Sequence, residues 1–265
     1  MYKSFVLLIM ASSCAIIAVA QRKILALHGG GGTGTGFCAM LNDSKGNEGL
    51  ANALGSEYEF VCPDAGYGDS SGYLWVPDPP GKGEPTTDPD IAIESVNILD
   101  QIVQDEGPFY GILGYSQGSM FTSYYVSIAP ADTFDIALMF AGYLPETHLG
   151  LLQTIENASP IDTVIPLVWA GGQDVFYCFS LDQPTKFSDP VVIVNSESGH
   201  IVPDSSDSTF DLVLDFILDP ANATSSPEET PDPENCVSSG DQGGKENIPA
   251  FLMNFISFFW LVFCS

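Results

Sequence analysis

An α/β fold, with a mostly parallel sheet covered by helices on both faces, is the fold class this chain predicts. Three observations carry that reading. Short apolar runs alternate with amphipathic stretches from Arg22 to Asp219. The runs end in glycine-rich or polar turns, as strands feeding helical crossovers do. The turn Gly114-Tyr115-Ser116-Gln117-Gly118 joins a strand-like run to a helix-like one. Strands alternating with helices imply parallel pairing, here a sheet of about six strands in one domain with a full core.

Taken in order, strands are expected near 23–28, 58–63, 109–115, 134–141, 164–170 and 191–194. Helices are expected near 47–54, 91–106, 117–128 and 207–218, and Ile91–Val103 shows the apolar spacing of a helix packed on a sheet. Asp69–Pro89 is long, rich in Gly and Pro, and carries Tyr73-Leu74-Trp75, so a lid or rim is expected there. There is no internal repeat.

The ends read differently. Lys3, the apolar stretches Phe5–Met10 and Ala15–Val19, and Ala18-Val19-Ala20 before Gln21 predict a secretory signal peptide over 1–20. The globular domain is then 21–219. Residues 220–247 form an acidic linker rich in Pro and Ser, with small residues Ser238-Ser239-Gly240 and a polar spacer. The apolar tail 248–265 completes the pattern of a GPI-attachment signal, with a retained tail anchor as the alternative. Cys38, Cys62, Cys178 and Cys236 remain for an oxidising compartment and allow three pairings. The expected one is Cys38–Cys62, which leaves Cys178 to tether the linker through Cys236. Sequons at Asn42, Asn157 and Asn222 are candidate glycan acceptors.

The formal charge of −27 excludes nucleic acid as a partner and repels an anionic membrane surface. Membrane contact is expected only through the C-terminal anchor, and the domain is read as a monomer.

The chemistry centres on Ser116. Gly-x-Ser-x-Gly between a strand and a helix is a nucleophile elbow, which lifts the hydroxyl above the sheet at the positive end of the helix. A serine hydroxyl needs a histidine to take its proton and an acid to fix that histidine's tautomer. The chain has 3 histidines. His200 follows Val191–Val194, and Asp174 follows Val164–Ala170 through Gly171-Gly172-Gln173. The chain order Ser116, Asp174, His200 is that of α/β-hydrolases. The oxyanion hole is expected from the backbone N–H groups of Gly30, on the loop after the first strand, and Gln117. His28 is expected to brace that loop; His148, in a region suited to a lid or rim, receives no role.

The glycine run also fits the dinucleotide pattern Gly-x-Gly-x-x-Gly. That motif wants an acidic residue about 20 positions on, and Asp64 arrives too late. No cofactor and no metal are expected.

Lys23–Gly29, Glu59–Ala65, Gly107–Gly118 and Gly199-His200-Ile201-Val202-Pro203 resemble the FSH group of serine hydrolases over about 23–218. The resemblance implies an α/β-hydrolase fold and cleavage of small-molecule carboxylic esters or thioesters without metal or organic cofactor. It implies Ser116 as nucleophile, His200 as base and Asp174 as acid. Two positions differ from the group's pattern. Gly30 stands where an aromatic residue usually follows His-Gly, and Val175-Phe176-Tyr177 stands where Val-Pro usually follows the acid. A non-catalytic surface-binding protein on a hydrolase scaffold is the alternative.

Overall fold

A computed structural model describes residues 21–77 and 85–226. The signal peptide, Cys236, most of the linker and the tail lie outside the described residues. Six strands form the central sheet: β1 (Arg22–Leu27), β2 (Tyr58–Val61), β3 (Gly111–Tyr115), β4 (Ile136–Phe140), β5 (Ile165–Gly171) and β6 (Val191–Asn195). Every pairing is parallel, in the order β6-β5-β4-β3-β1-β2. This is the α/β-hydrolase fold expected.

Alternation along the strands divides the core. Leu25, Leu27, Ile112, Met139 and Val168 face one side, while Ile24, Ala26, Leu113, Leu138 and Trp169 face the other. Successive side chains of a strand point to opposite faces, so each strand feeds both layers. The first layer is covered by the helices Ile93–Glu106, Gln117–Ile128 and Leu149–Ala158; the second by Gly34–Asn42, Leu50–Leu54 and Phe210–Leu218. Each fully buried Leu or Ile contributes about 1.5–3 kcal/mol, so the two layers together hold the sheet between them.

Among the described residues three helices, Gly34–Asn42, Leu149–Ala158 and the short Tyr177–Ser180, form where none is expected, and the helix expected over 47–54 is shorter. Gly34–Asn42 carries Gly34 and Gly36, which lower helix propensity, but Thr33 caps it by accepting from the Gly36 N–H at 3.1 Å. Leu149–Ala158 lies in the region read as a rim and buries Leu151 and Ile155. The stretch read as a helix over 47–54 begins as a hairpin, Asp43–Ser44 with Asn47–Glu48, and is helical only at Leu50–Leu54.

Cys38 and Cys62 form the expected disulfide, which joins the helix after β1 to the end of the neighbouring strand β2. Cys178 is also disulfide-bonded, and the partner expected for it lies outside the described residues. Ser225 and Ser226 lie along β6, where their hydroxyls accept from the Val192 and Val194 amides and shield the sheet edge. Among the described residues no helix is long and apolar enough to cross a membrane.

Candidate active site

The chain reverses its direction of winding at β1, which lies between β2 and β3. Open α/β sheets bind ligands at such a switch point, outside the carboxyl ends of the strands. Ser116 follows β3, and the glycine loop Gly29–Gly32 follows the adjacent β1.

Ser116 has φ 56° and ψ −118° and immediately precedes the helix Gln117–Ile128. A non-glycine residue held at positive φ costs about 1–3 kcal/mol, so the surrounding structure must impose it. It does so through the Ser116 N–H, which donates to the Phe140 carbonyl at 3.0 Å, and through close packing of the flanking glycines. A Cβ on Gly118 would lie 2.3 Å from the Leu27 oxygen, and one on Gly114 2.3 Å from the Gly118 oxygen. Glycine at both ends is a requirement of the turn.

The Ser116 Oγ lies 2.9 Å from His200 Nε2, and His200 Nδ1 lies 2.7 Å from Asp174 Oδ2. The three residues come from the ends of β3, β5 and β6, as expected. The Asp174 side chain is fully buried, and its second oxygen accepts from the Phe176 N–H at 2.9 Å. That bond fixes the carboxylate plane and leaves Oδ2 for the imidazole. Acid and base loops are also tied to each other: the Gln173 N–H donates to the Ser198 carbonyl at 2.8 Å, and its side chain donates to the Ser196 carbonyl at 2.9 Å. The His200 ring is flanked by Tyr115 and Phe176, with centroids 5.1 and 5.3 Å away, and Tyr143 stacks on Phe176. The residues after Asp174 that depart from the resembled pattern thus form an aromatic wall beside the base. Composition gave no signal for that wall.

Gly30 is exposed beside the elbow: a Cβ there would lie 3.5 Å from Gln117 Cβ. Gly30 and Gln117, the residues expected to supply the oxyanion hole, are therefore neighbours. His28 is buried behind the loop. Its Nδ1 meets the Gly29 carbonyl at 2.8 Å and its Nε2 accepts from the Ala65 N–H at 3.2 Å. An accepting Nε2 makes Nδ1 the protonated nitrogen, and burial holds the ring's pKa below 6.5, so it is neutral. The bracing role is met.

Asp64, too late in the chain for the dinucleotide pattern, accepts from the Gly34 N–H at 2.7 Å, so its carboxylate sits at a helix N-terminus. His148 is buried; its Nε2 meets the Pro77 carbonyl at 3.0 Å, and Thr86 pairs with the neighbouring backbone. It fastens the segments on either side of residues 78–84 to the domain. Residues 78–84 themselves, part of the expected lid, lie outside the described residues, whereas Tyr67–Leu74 is a hairpin packed on the glycine loop.

The serine hydrolase (FSH1) family model matches residues 69–211, more than half of the chain. No curated protein sequence matches it. Acyl-protein thioesterase 2 of Zea mays superposes with a TM-score of 0.54 at 16% identity, over 76% of this chain and 94% of that one. A carboxylesterase from Mesorhizobium loti gives 0.52 at 14% identity, over 69% and 83%. At these identities the likeness is one of fold.

Proposed function

The chain belongs to the FSH1 family of serine hydrolases, and on that premise we propose that it cleaves carboxylic esters or thioesters through an acyl-enzyme on Ser116. The observation that carries the reading is the Ser116–His200–Asp174 hydrogen-bonded chain at 2.9 and 2.7 Å. With Asp174 accepting from Nδ1–H, Nε2 is the free base. It takes the Ser116 proton as Oγ attacks the carbonyl carbon, and the carbonyl oxygen becomes an oxyanion between the Gly30 and Gln117 N–H groups. The tetrahedral centre collapses, and Nε2–H protonates the departing alcohol or thiol. Water then repeats the sequence on the acyl-enzyme and returns the serine and the free acid.

The test is labelling by a fluorophosphonate together with hydrolysis of p-nitrophenyl esters. Wild type should label and turn over, and Ser116→Ala should do neither while keeping its circular dichroism. Wild-type turnover by the alanine variant would overturn the assignment.

A secreted, surface-anchored enzyme is the reading supported by the signal and tail patterns. The Cys38–Cys62 disulfide, which suits an oxidising compartment, supports it too.

A further inference from the structure

Resting on the acyl-enzyme reading above, we propose that the Gln117 side chain is a positioning residue for the oxyanion hole. It acts on the glycine loop through the strap Tyr73–Val76. The glycine run is the reason a strap is needed. Four consecutive glycines, Gly29–Gly32, have wide backbone freedom and no side chains with which to pack, so restraint must come from neighbours. Gly31 sits at φ 76°, a conformation glycine adopts without strain.

The restraints converge on one segment. The Gly31 N–H donates to the Tyr73 carbonyl at 2.8 Å, and the Tyr73 N–H donates to the Gly32 carbonyl at 2.9 Å. The Trp75 indole N–H donates to the His28 carbonyl at 2.8 Å, and the fully buried ring stacks on Phe121. Leu74 lies beside Gly30, where an added Cβ would lie 3.3 Å from its Cδ2. The far side of the strap is held by Gln117. Its Oε1 accepts from the Trp75 N–H at 2.8 Å and its Nε2 donates to the Val76 carbonyl at 3.1 Å.

A primary amide offers one acceptor and two donors on a planar group, so Gln117 clamps two consecutive backbone residues as a neighbouring strand would. Its own N–H is one oxyanion donor, and the strap that its side chain holds carries the loop bearing the other. A single residue thereby sets the distance between both halves of the hole. Glutamate has the same shape but, ionised, has no donor for the Val76 carbonyl, so the clamp needs the amide chemistry as well as the length.

The experiment compares wild type with Gln117→Ala, Gln117→Glu and Trp75→Phe. It measures kcat and KM on p-nitrophenyl butyrate and inhibition by a trifluoromethyl ketone, whose serine adduct places an oxyanion in the hole. Both Gln117 variants keep the backbone N–H. Each should lose about tenfold to a hundredfold in kcat, with KM within about twofold and ketone inhibition weakened in proportion to the lost rate. Trp75→Phe keeps most of the buried ring and should show a smaller loss of the same kind. If the alanine variant does not fold, the glutamate and phenylalanine variants carry the test. An active wild type whose folded variants keep kcat, or lose kcat with ketone inhibition unchanged, would overturn the positioning role alone. A wild type that neither hydrolyses esters nor labels at Ser116 would overturn the acyl-enzyme reading and this inference with it.

Discussion

The Tyr115 hydroxyl donates to the carbonyl oxygen of His200 at 3.0 Å, so the residue before the proposed nucleophile holds the loop that carries the proposed base. The same tyrosine's ring lies against the imidazole, and burial pushes its hydroxyl pKa well up, which keeps the donor protonated. Serine and histidine thereby share one support, although they are 84 residues apart in sequence.

Tyr115→Phe removes that bond and keeps the ring. The expected loss of stability is about 1 kcal/mol, read from urea denaturation. The rate loss should also be small, since Asp174 still orients His200 from its other side. A variant as stable as wild type would show that the tyrosine acts through its ring alone.

Asp174→Asn should be far more damaging. The asparagine can keep the bond from the Phe176 N–H, but an amide donor turned toward Nδ1 favours the imidazole tautomer whose Nε2 is already protonated. A loss of about 10⁴ in kcat is expected. Asp182 is the other carboxylate close behind in sequence, and it begins the turn Gln183–Lys186 with no hydrogen bond to the imidazole. Asp182→Asn should stay within a few-fold of wild type. Steady-state kinetics on one ester decides between the two acids, and a reversed ranking would move the role to Asp182.

His28 gives a pH dependence of stability. Burial, the largest cause, lowers its pKa below the ordinary 6.5, against smaller upward pulls from the Gly29 carbonyl and Asp64. The unfolded chain then binds the His28 proton at a higher pH than the folded one. Its contribution is fully present above about pH 6.5 and falls as the pH drops from there toward the lowered folded value. Melting temperatures of wild type and His28→Gln should separate less at pH 5.5 than at pH 7.5, because the glutamine has no such proton to gain. An equal gap at both pH values would remove His28 as the source.

Strand periodicity made the six-stranded sheet legible in the sequence, and chain order made Ser116, Asp174 and His200 legible, because both signals are local or ordinal. The helix Gly34–Asn42 was hidden by its own glycines: its identity rests on the Thr33 cap and on burial of Phe37 and Leu41 against the sheet. The strap was hidden for a different reason. Nothing in Tyr73-Leu74-Trp75 announces that its backbone pairs with a glycine loop about 42 residues earlier, or that a side chain from the elbow clamps it. Such side-chain-to-backbone contacts leave no periodic trace. The hairpin Asp43–Glu48 was missed because a short polar stretch before Leu50 resembles the start of a helix.

The proposed surface location has its own test. A signal peptide would send the chain through the secretory route, and the tail after Asn247 would direct its exchange for a lipid anchor. With a formal charge of −27, the protein is repelled by an anionic membrane within a Debye length of about 8 Å at physiological salt. The acidic, proline-rich linker would therefore keep the domain and its ester site in the aqueous phase. Treatment of intact cells with phosphatidylinositol-specific phospholipase C should release esterase activity into the medium. Activity that stays on the cells, in protein yielding peptides from Phe251 to Phe263, would identify a retained apolar tail and end the GPI reading.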